Sequence, residues 1–366
     1  MSSTSGTRAG RIETVQILRA VAVFAVVVSH AMHELVQLLR GAPLVINEKL
    51  FPGDFGVDLF FVISGFIMVY VSRNSFARAG ASLDYVKRRL IRIVPLYWIM
   101  TSLMILVVIL LPHSVDTATN DRVQWLSSYL FFPYARSSDG MVRPVLGLGW
   151  SLEYEMFFYL LFAIGLMMRR TAAILFVSAM IGLTWALGRG PLSHVTAVNF
   201  LGMPIIFEFV VGMVIGWLFV SGRRMPRMIA LMLIVAGVGI LAFAPSFNEA
   251  LERSRYLYYG IPAALIVMGS TLFRNSESFV VSPVGLELGE NSYATYLAHP
   301  FWLGALSLVC ARAGLSTSMS SEGFIVWYLV LAILGSFACG FLLDRIVDKP
   351  LTRWLSARIV PRKVPA

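Results

Sequence analysis

Charge is what this sequence is short of. Asp, Glu, Lys and Arg make up 14% of its 366 residues, against 58% hydrophobic, where a soluble domain carries about 25% charge. That excludes a water-soluble fold and implies a polytopic helical membrane protein. Cysteine is nearly absent. Cys310 and Cys339 lie in different apolar stretches and offer neither a metal spacing nor a disulfide framework, so both read as small core residues and no metal is expected. No internal repeat, low-complexity linker or globular insertion interrupts the chain, so residues 1–366 read as one domain, with 1–11 and 355–366 as flexible cytoplasmic tails. No small-residue cleavage site follows the first apolar stretch, which is too long for a signal-peptide core and is kept as structure. The acidic shortfall leaves a net charge of +10. Its distribution follows the positive-inside rule, which removes the case for nucleic acid.

What is present is long apolar runs, and about 20 apolar residues suffice to cross a bilayer as one helix. Ten stretches read as spans: 12–39, 55–71, 94–111, 150–168, 171–187, 200–220, 228–243, 256–273, 292–311 and 324–347. Pro95 falls at the expected start of the third, where a missing N–H is tolerated. Within the mixed segment 113–149, residues 125–132 read as an interfacial or re-entrant piece. A cytoplasmic N-terminus puts 20 of the 30 Lys and Arg on the inner side, nine on the outer and Arg19 inside a span. An even number of spans returns the basic tail to the cytoplasm. The expected fold is thus an all-α transmembrane bundle of about ten spans with both termini inside.

The first span carries Arg19, His30 and Glu34. Eleven residues is three turns plus about 20°, so Arg19 and His30 share a face about 16 Å apart along the axis, and Glu34 joins that face one turn beyond His30. Ionisable groups at membrane depth mark function by default; the bland alternative is that each snorkels to its nearer surface. Asp58 starts the second span at the level of His30. It reads either as a helix N-terminal acid favoured by the dipole or as a carboxylate holding the His30 tautomer, a job for which Glu34 competes. In the fourth span Glu153 and Glu155 point to different faces, so at most one aims at a cavity. The outer half thereby collects His30, Asp58 and one of these glutamates for acid/base work.

The inner half collects cations. Arg89 and Arg92 are at i and i+3 and share a face, and their forks suit phosphate. Lys87 and Arg88 read equally as a cuff on anionic lipid headgroups. His299, in the inner half of the ninth span beside Pro300, reads as a packed kink residue or as part of the site. A basic site inside and an acid/base site outside, joined by one face of the first span, suggest a threaded molecule with an anionic head and a reactive end. An acyl-CoA is such a molecule. Its phosphates would rest on Arg19, Arg89 and Arg92, and His30 would deprotonate an acceptor hydroxyl, with Arg19 and His30 lining one aqueous crevice.

These residues also resemble a known family, the bacterial integral-membrane acyltransferases of acyltransferase family three, over about residues 13–354. The matching motifs are Arg19 followed ten residues on by His30; Gly56-x-Asp58-x-Phe60-Phe61-x-x-Ser64-Gly65-Phe66; the Arg89–Arg92 pair before Pro95-x-Tyr97-Trp98; Trp150-Ser151-Leu152-x-x-Glu155-x-x-Phe158-Tyr159; and Ser292-Tyr293-x-x-Tyr296-Leu297-x-His299. Asp348-Lys349-Pro350-Leu351 stands where the family usually has Glu first. The resemblance favours Glu155 over Glu153. It implies O-acylation by a multi-pass protein of the bacterial inner membrane, using acetyl-CoA or another short acyl-CoA as donor substrate. It implies His30 as catalytic and the Arg89–Arg92 pair on the donor; together with the reading of the residues, the catalytic candidates are His30, Asp58 and Glu155, and the donor-binding ones Arg19, Arg89, Arg92, Ser64 and His299. Without the outer hydrolase-like domain that some relatives carry, the chain is expected to work alone or with separate polysaccharide-assembly partners, and the stand-alone form looks most like members that decorate exopolysaccharide. Against this stand a transporter of anionic metabolites, whose usual pointer of matched broken helices is missing, and a structural subunit of an export complex.

Overall fold

The structure, a computed structural model, describes residues 12–39, 52–111, 121–136, 139–244, 254–274, 282–315 and 321–360. Helices dominate and no strand forms among the described residues, only isolated bridges. In chain order the helices are α1 (Glu13–Leu38), α2 (Phe55–Val71), α3 (Ala81–Leu110), α4 (Arg122–Tyr129), α5 (Trp150–Gly165), α6 (Arg170–Arg189), α7 (Thr196–Leu201), α8 (Phe207–Val220), α9 (Arg227–Ala242), α10 (Ile261–Leu272), α11 (Pro283–Glu290), α12 (Ser292–Arg312), α13 (Ser321–Leu343) and α14 (Lys349–Ile359). Each expected span falls on helix, but five helices among the described residues are long and apolar enough to cross a membrane, and four more apolar ones are shorter. Leu103, Leu106 and Leu110 of α3 and Leu231, Met232, Val235 and Val238 of α9 lie exposed, the outward apolar face that hydrocarbon solvates.

Three boundaries depart from the sequence reading, and proline explains one of them. α3 begins at Ala81, so Pro95 sits inside a 30-residue helix and not at its start; the basic stretch before it looked like a loop because it is polar, yet it is helical. The run 200–220 breaks at Gly202–Met203 ahead of Pro204, whose ring disfavours helix in the residue before it. The tail is helical through Ile359, which corrects the flexible stretch expected from 355; residues 1–11 and 361–366 lie outside the described ones. Two π-helical turns, Tyr256–Gly260 and Asp344–Asp348, each lead directly into a proline at the second position of the next helix, Pro262 and Pro350. The missing proline N–H leaves a carbonyl unpaired, and a widened turn absorbs it.

The bundle is pinned at α2 and α8. A Cβ on Gly65 would stand 2.1 Å from the Phe209 carbonyl oxygen, and one on Gly212 would stand 2.1 Å from that of Val62. Between apolar helices in lipid, such backbone approach is what small residues provide. Gly65→Val is therefore expected to lower the yield of folded protein severalfold, since forced overpacking costs roughly 1–3 kcal/mol or more; size-exclusion of detergent extracts reads it. α1 lies against α2, α11, α12 and α13, which places its polar face inside the bundle.

Candidate active site

Arg19 on α1, Arg89 and Arg92 on α3, Ser64 on α2 and Glu155 on α5 line one cavity of about 310 Å³, together with Gln16, Tyr159, Tyr293 and Tyr296. Arg92 is exposed, while Arg19 and Arg89 are half-buried. The i, i+3 spacing brings both α3 arginines to the cavity. Among the described residues none of the three guanidiniums has a carboxylate within 4 Å, and the buried Nε of Arg89 has no hydrogen-bond partner. The Arg89 guanidinium instead lies 5.6 Å from the Tyr85 ring and 5.8 Å from the Tyr159 ring. The carboxylate that does line the cavity, Glu155, accepts from Ser64 Oγ at 3.1 Å and from the Tyr159 hydroxyl. Three cations against one carboxylate leave a formal surplus of two positive charges, a setting for an anion.

His30 and His299 stand elsewhere. Neither lines the cavity, and their rings pack edge to face with centroids 5.1 Å apart. Nδ1 of His30 lies 2.9 Å from the Val26 carbonyl oxygen. A carbonyl only accepts, so Nδ1 carries the proton and Nε2 keeps its lone pair. Tyr296 joins the two regions: its ring lies 6.0 Å from that of His299 and its hydroxyl bonds Ser151 Oγ at 2.9 Å. Tyr296 and Ser151 are in the lining of the arginine cavity and His30 is not, so Arg19 and His30 do not line that cavity together, which corrects the single crevice expected of them.

The expected grouping of His30, Asp58 and a glutamate is also redrawn. Among the described residues no carboxylate hydrogen-bonds His30; the backbone of α1 fixes its tautomer, so neither Asp58 nor Glu34 does. Asp58, fully buried, is held by Arg255 through Nε at 3.0 Å and Nη2 at 2.5 Å. Arg255 Nη2 also donates to the Asp54 carbonyl at 3.0 Å, and Ser29 Oγ donates to Asp54 Oδ1 at 2.9 Å. Buried Glu208 of α8 is electrostatically tied to the same pair. Glu155 sits with the arginines and not with the histidines. His299, placed on the donor by the sequence reading, sits with His30. Glu153 turns to the other face, as the i, i+2 spacing requires, and its buried Oε2 has no partner.

Arg255 and Glu208 went unnoticed in the sequence. Arg255 counted as one more outer-loop charge. The signal that could have found Glu208 is a lone carboxylate opening an apolar helix, which needs a buried cation nearby.

The sequence model of the acyltransferase domain family matches residues 12–345. The exopolysaccharide production protein ExoZ of Rhizobium meliloti (strain 1021) is 33% identical over 311 residues, covering 84% of this chain and 92% of that protein. No solved structure matches.

Proposed function

The chain belongs to the acyltransferase domain family, and from that premise we propose that it moves an acetyl or other short acyl group from cytoplasmic acyl-CoA to a sugar hydroxyl across the bacterial inner membrane. The acceptor in this reading is exopolysaccharide or its lipid-linked precursor, the process named for its relative. The observation that carries the donor assignment is the cavity where Arg19, Arg89 and Arg92 converge without carboxylate partners. Bidentate guanidinium forks suit the CoA phosphates, and the orphaned Arg89 Nε is a donor in want of an acceptor. Ser64, Glu155 and Tyr159 brace the wall against which the pantetheine arm would lie.

In the transfer step the acceptor oxygen attacks the thioester carbonyl, forming a C–O bond and breaking the C–S bond. The hydroxyl proton passes to His30 Nε2 and from there to the departing CoA sulfur. Val26 supports this by committing Nδ1, which leaves Nε2 as the basic atom. The arm must pass the Tyr296–Ser151 contact to bring the thioester from the arginines to the imidazole.

The test is CoA thiol release by purified protein in nanodiscs given acetyl-CoA and a sugar acceptor, with the product mass raised by one acetyl group. An exporter of anionic metabolites, or a structural subunit, would release no thiol. Arg89→Ala and Arg92→Ala are each expected to raise KM for acetyl-CoA about tenfold, since a charge-assisted hydrogen bond is worth roughly 1.5–3 kcal/mol. Lys87→Ala should leave it within about twofold, as expected of a lipid-facing charge. An unchanged KM in the arginine variants would hand those residues to the headgroups.

A further inference from the structure

Resting on that reading, we propose that His299 is a positioning residue for the acyl-transfer base: a neutral imidazole that fixes the His30 ring and shares the positive charge it acquires. His299 is fully buried. Its Nδ1 lies 3.2 Å from the Thr295 carbonyl oxygen, so that nitrogen holds the proton and Nε2 is a bare acceptor. That Nε2 is buried with no hydrogen-bond partner. A spacer at this point would be better made of hydrocarbon, because a sealed acceptor without a donor is costly and rare. The His299 ring packs against the His30 ring, edge to face at 5.1 Å and 62°.

The two imidazoles are set alike. Each is pinned through Nδ1 to the carbonyl four residues earlier on its own helix, which removes ring flipping and leaves both Nε2 atoms as lone pairs. His30 is half-buried and His299 lies wholly within the protein, so substrate meets the first and the second backs it. Tyr296, on the same helix, also packs its ring against that of His299, 6.0 Å away. Among the described residues no carboxylate hydrogen-bonds or ion-pairs with either imidazole, so the charge that His30 gains is not met by an anion. The neutral His299 ring, packed edge to face on that of His30, is the polarisable group that meets it instead. The proton bookkeeping is unchanged: the hydroxyl proton goes to His30 Nε2 and then to the CoA sulfur, while His299 keeps its own.

The experiment uses the full chain in nanodiscs with His299→Phe, which keeps a ring without a nitrogen, and His299→Asn, which keeps an acceptor. kcat should fall about tenfold to a hundredfold in the phenylalanine variant, the scale of a misplaced catalytic group, with KM for acetyl-CoA within about twofold. The asparagine variant should recover part of the loss. Ring ¹⁵N spectra of histidine-labelled protein should show the His30 Nε2 signal displaced in His299→Phe. A raised KM with kcat retained would overturn the proposal by making His299 a donor ligand. Unchanged kcat and an unchanged His30 signal would reduce it to packing. Should the wild-type protein release no CoA, the acyl-CoA reading fails, and the ¹⁵N displacement alone still decides whether His299 governs His30. Should His299→Phe not fold, the asparagine variant carries both measurements.

Discussion

His30→Ala is expected to lower acyl transfer by about a thousandfold or more, the upper part of the range for a lost general base, with protein level and acetyl-CoA binding unchanged. The three parts of that expectation come from different places in the structure. Loss of rate follows from the lone pair at Nε2, which Val26 isolates by holding Nδ1; alanine leaves no base to take the hydroxyl proton. Unchanged level follows because His30 is half-buried and its hydrogen bond is to its own helix, so its removal breaks no hydrogen bond between helices and gives up only the ring contact with His299. Unchanged donor binding follows because His30 does not line the arginine cavity. Thiol release by purified variant, donor binding by calorimetry and immunoblotting of membranes read the three separately. A variant that kept its rate would sink the assignment of His30, whatever became of the arginines.

Hydropathy and period made much of this molecule readable. The apolar runs fall on helix, with the 200–220 run broken at Gly202–Met203, because apolar runs of that length have few other options; five helices among the described residues are long enough to cross a membrane. Arg89 and Arg92 reach one cavity with Arg19 because i, i+3 spacing on a helix is geometry and not context. What stayed hidden was contact between helices distant in sequence. Hydropathy records which residues lipid tolerates; it carries nothing about which buried charge meets which. Asp58 therefore looked like a partner for His30, to which it is close in level, whereas Arg255, almost two hundred positions away, holds it. His299 was misplaced for the same reason. Its depth along the ninth span suggested the donor end, and packing of α12 on α1 brought it to His30 instead. The start of α3 was missed for a different one: its first turns are basic and amphipathic, and polarity was read as loop.

Arg255→Met and Asp58→Leu should each destabilise the protein strongly, and the double variant should recover most of the loss. Asp58 is fully buried and Arg255 nearly so. Removing one partner of such a pair strands the other charge, which costs about 3–5 kcal/mol, while replacing both by apolar groups is often neutral. The asymmetry is sharp here because Glu208 shares the site: loss of Arg255 leaves two carboxyl groups facing one another in a dry place. Loss of Asp58 leaves the guanidinium beside Glu208, the Asp54 carbonyl and the Tyr259 ring, 5.3 Å from its centre. Each single change is expected to lower the unfolding midpoint on the order of 6–10 °C, measured in detergent by thermal scanning. The same double variant separates the two roles that Asp58 could play. A carboxylate that orients His30 would be missed in the double variant, and kcat would stay low after stability returned. A carboxylate that ties α2 to the π turn before α10 would not be missed, and kcat should return with the fold. The structure favours the second outcome, because the Arg255–Asp58 pair fixes Asp54, and Asp54 holds α1 through Ser29 without touching the imidazole beside it.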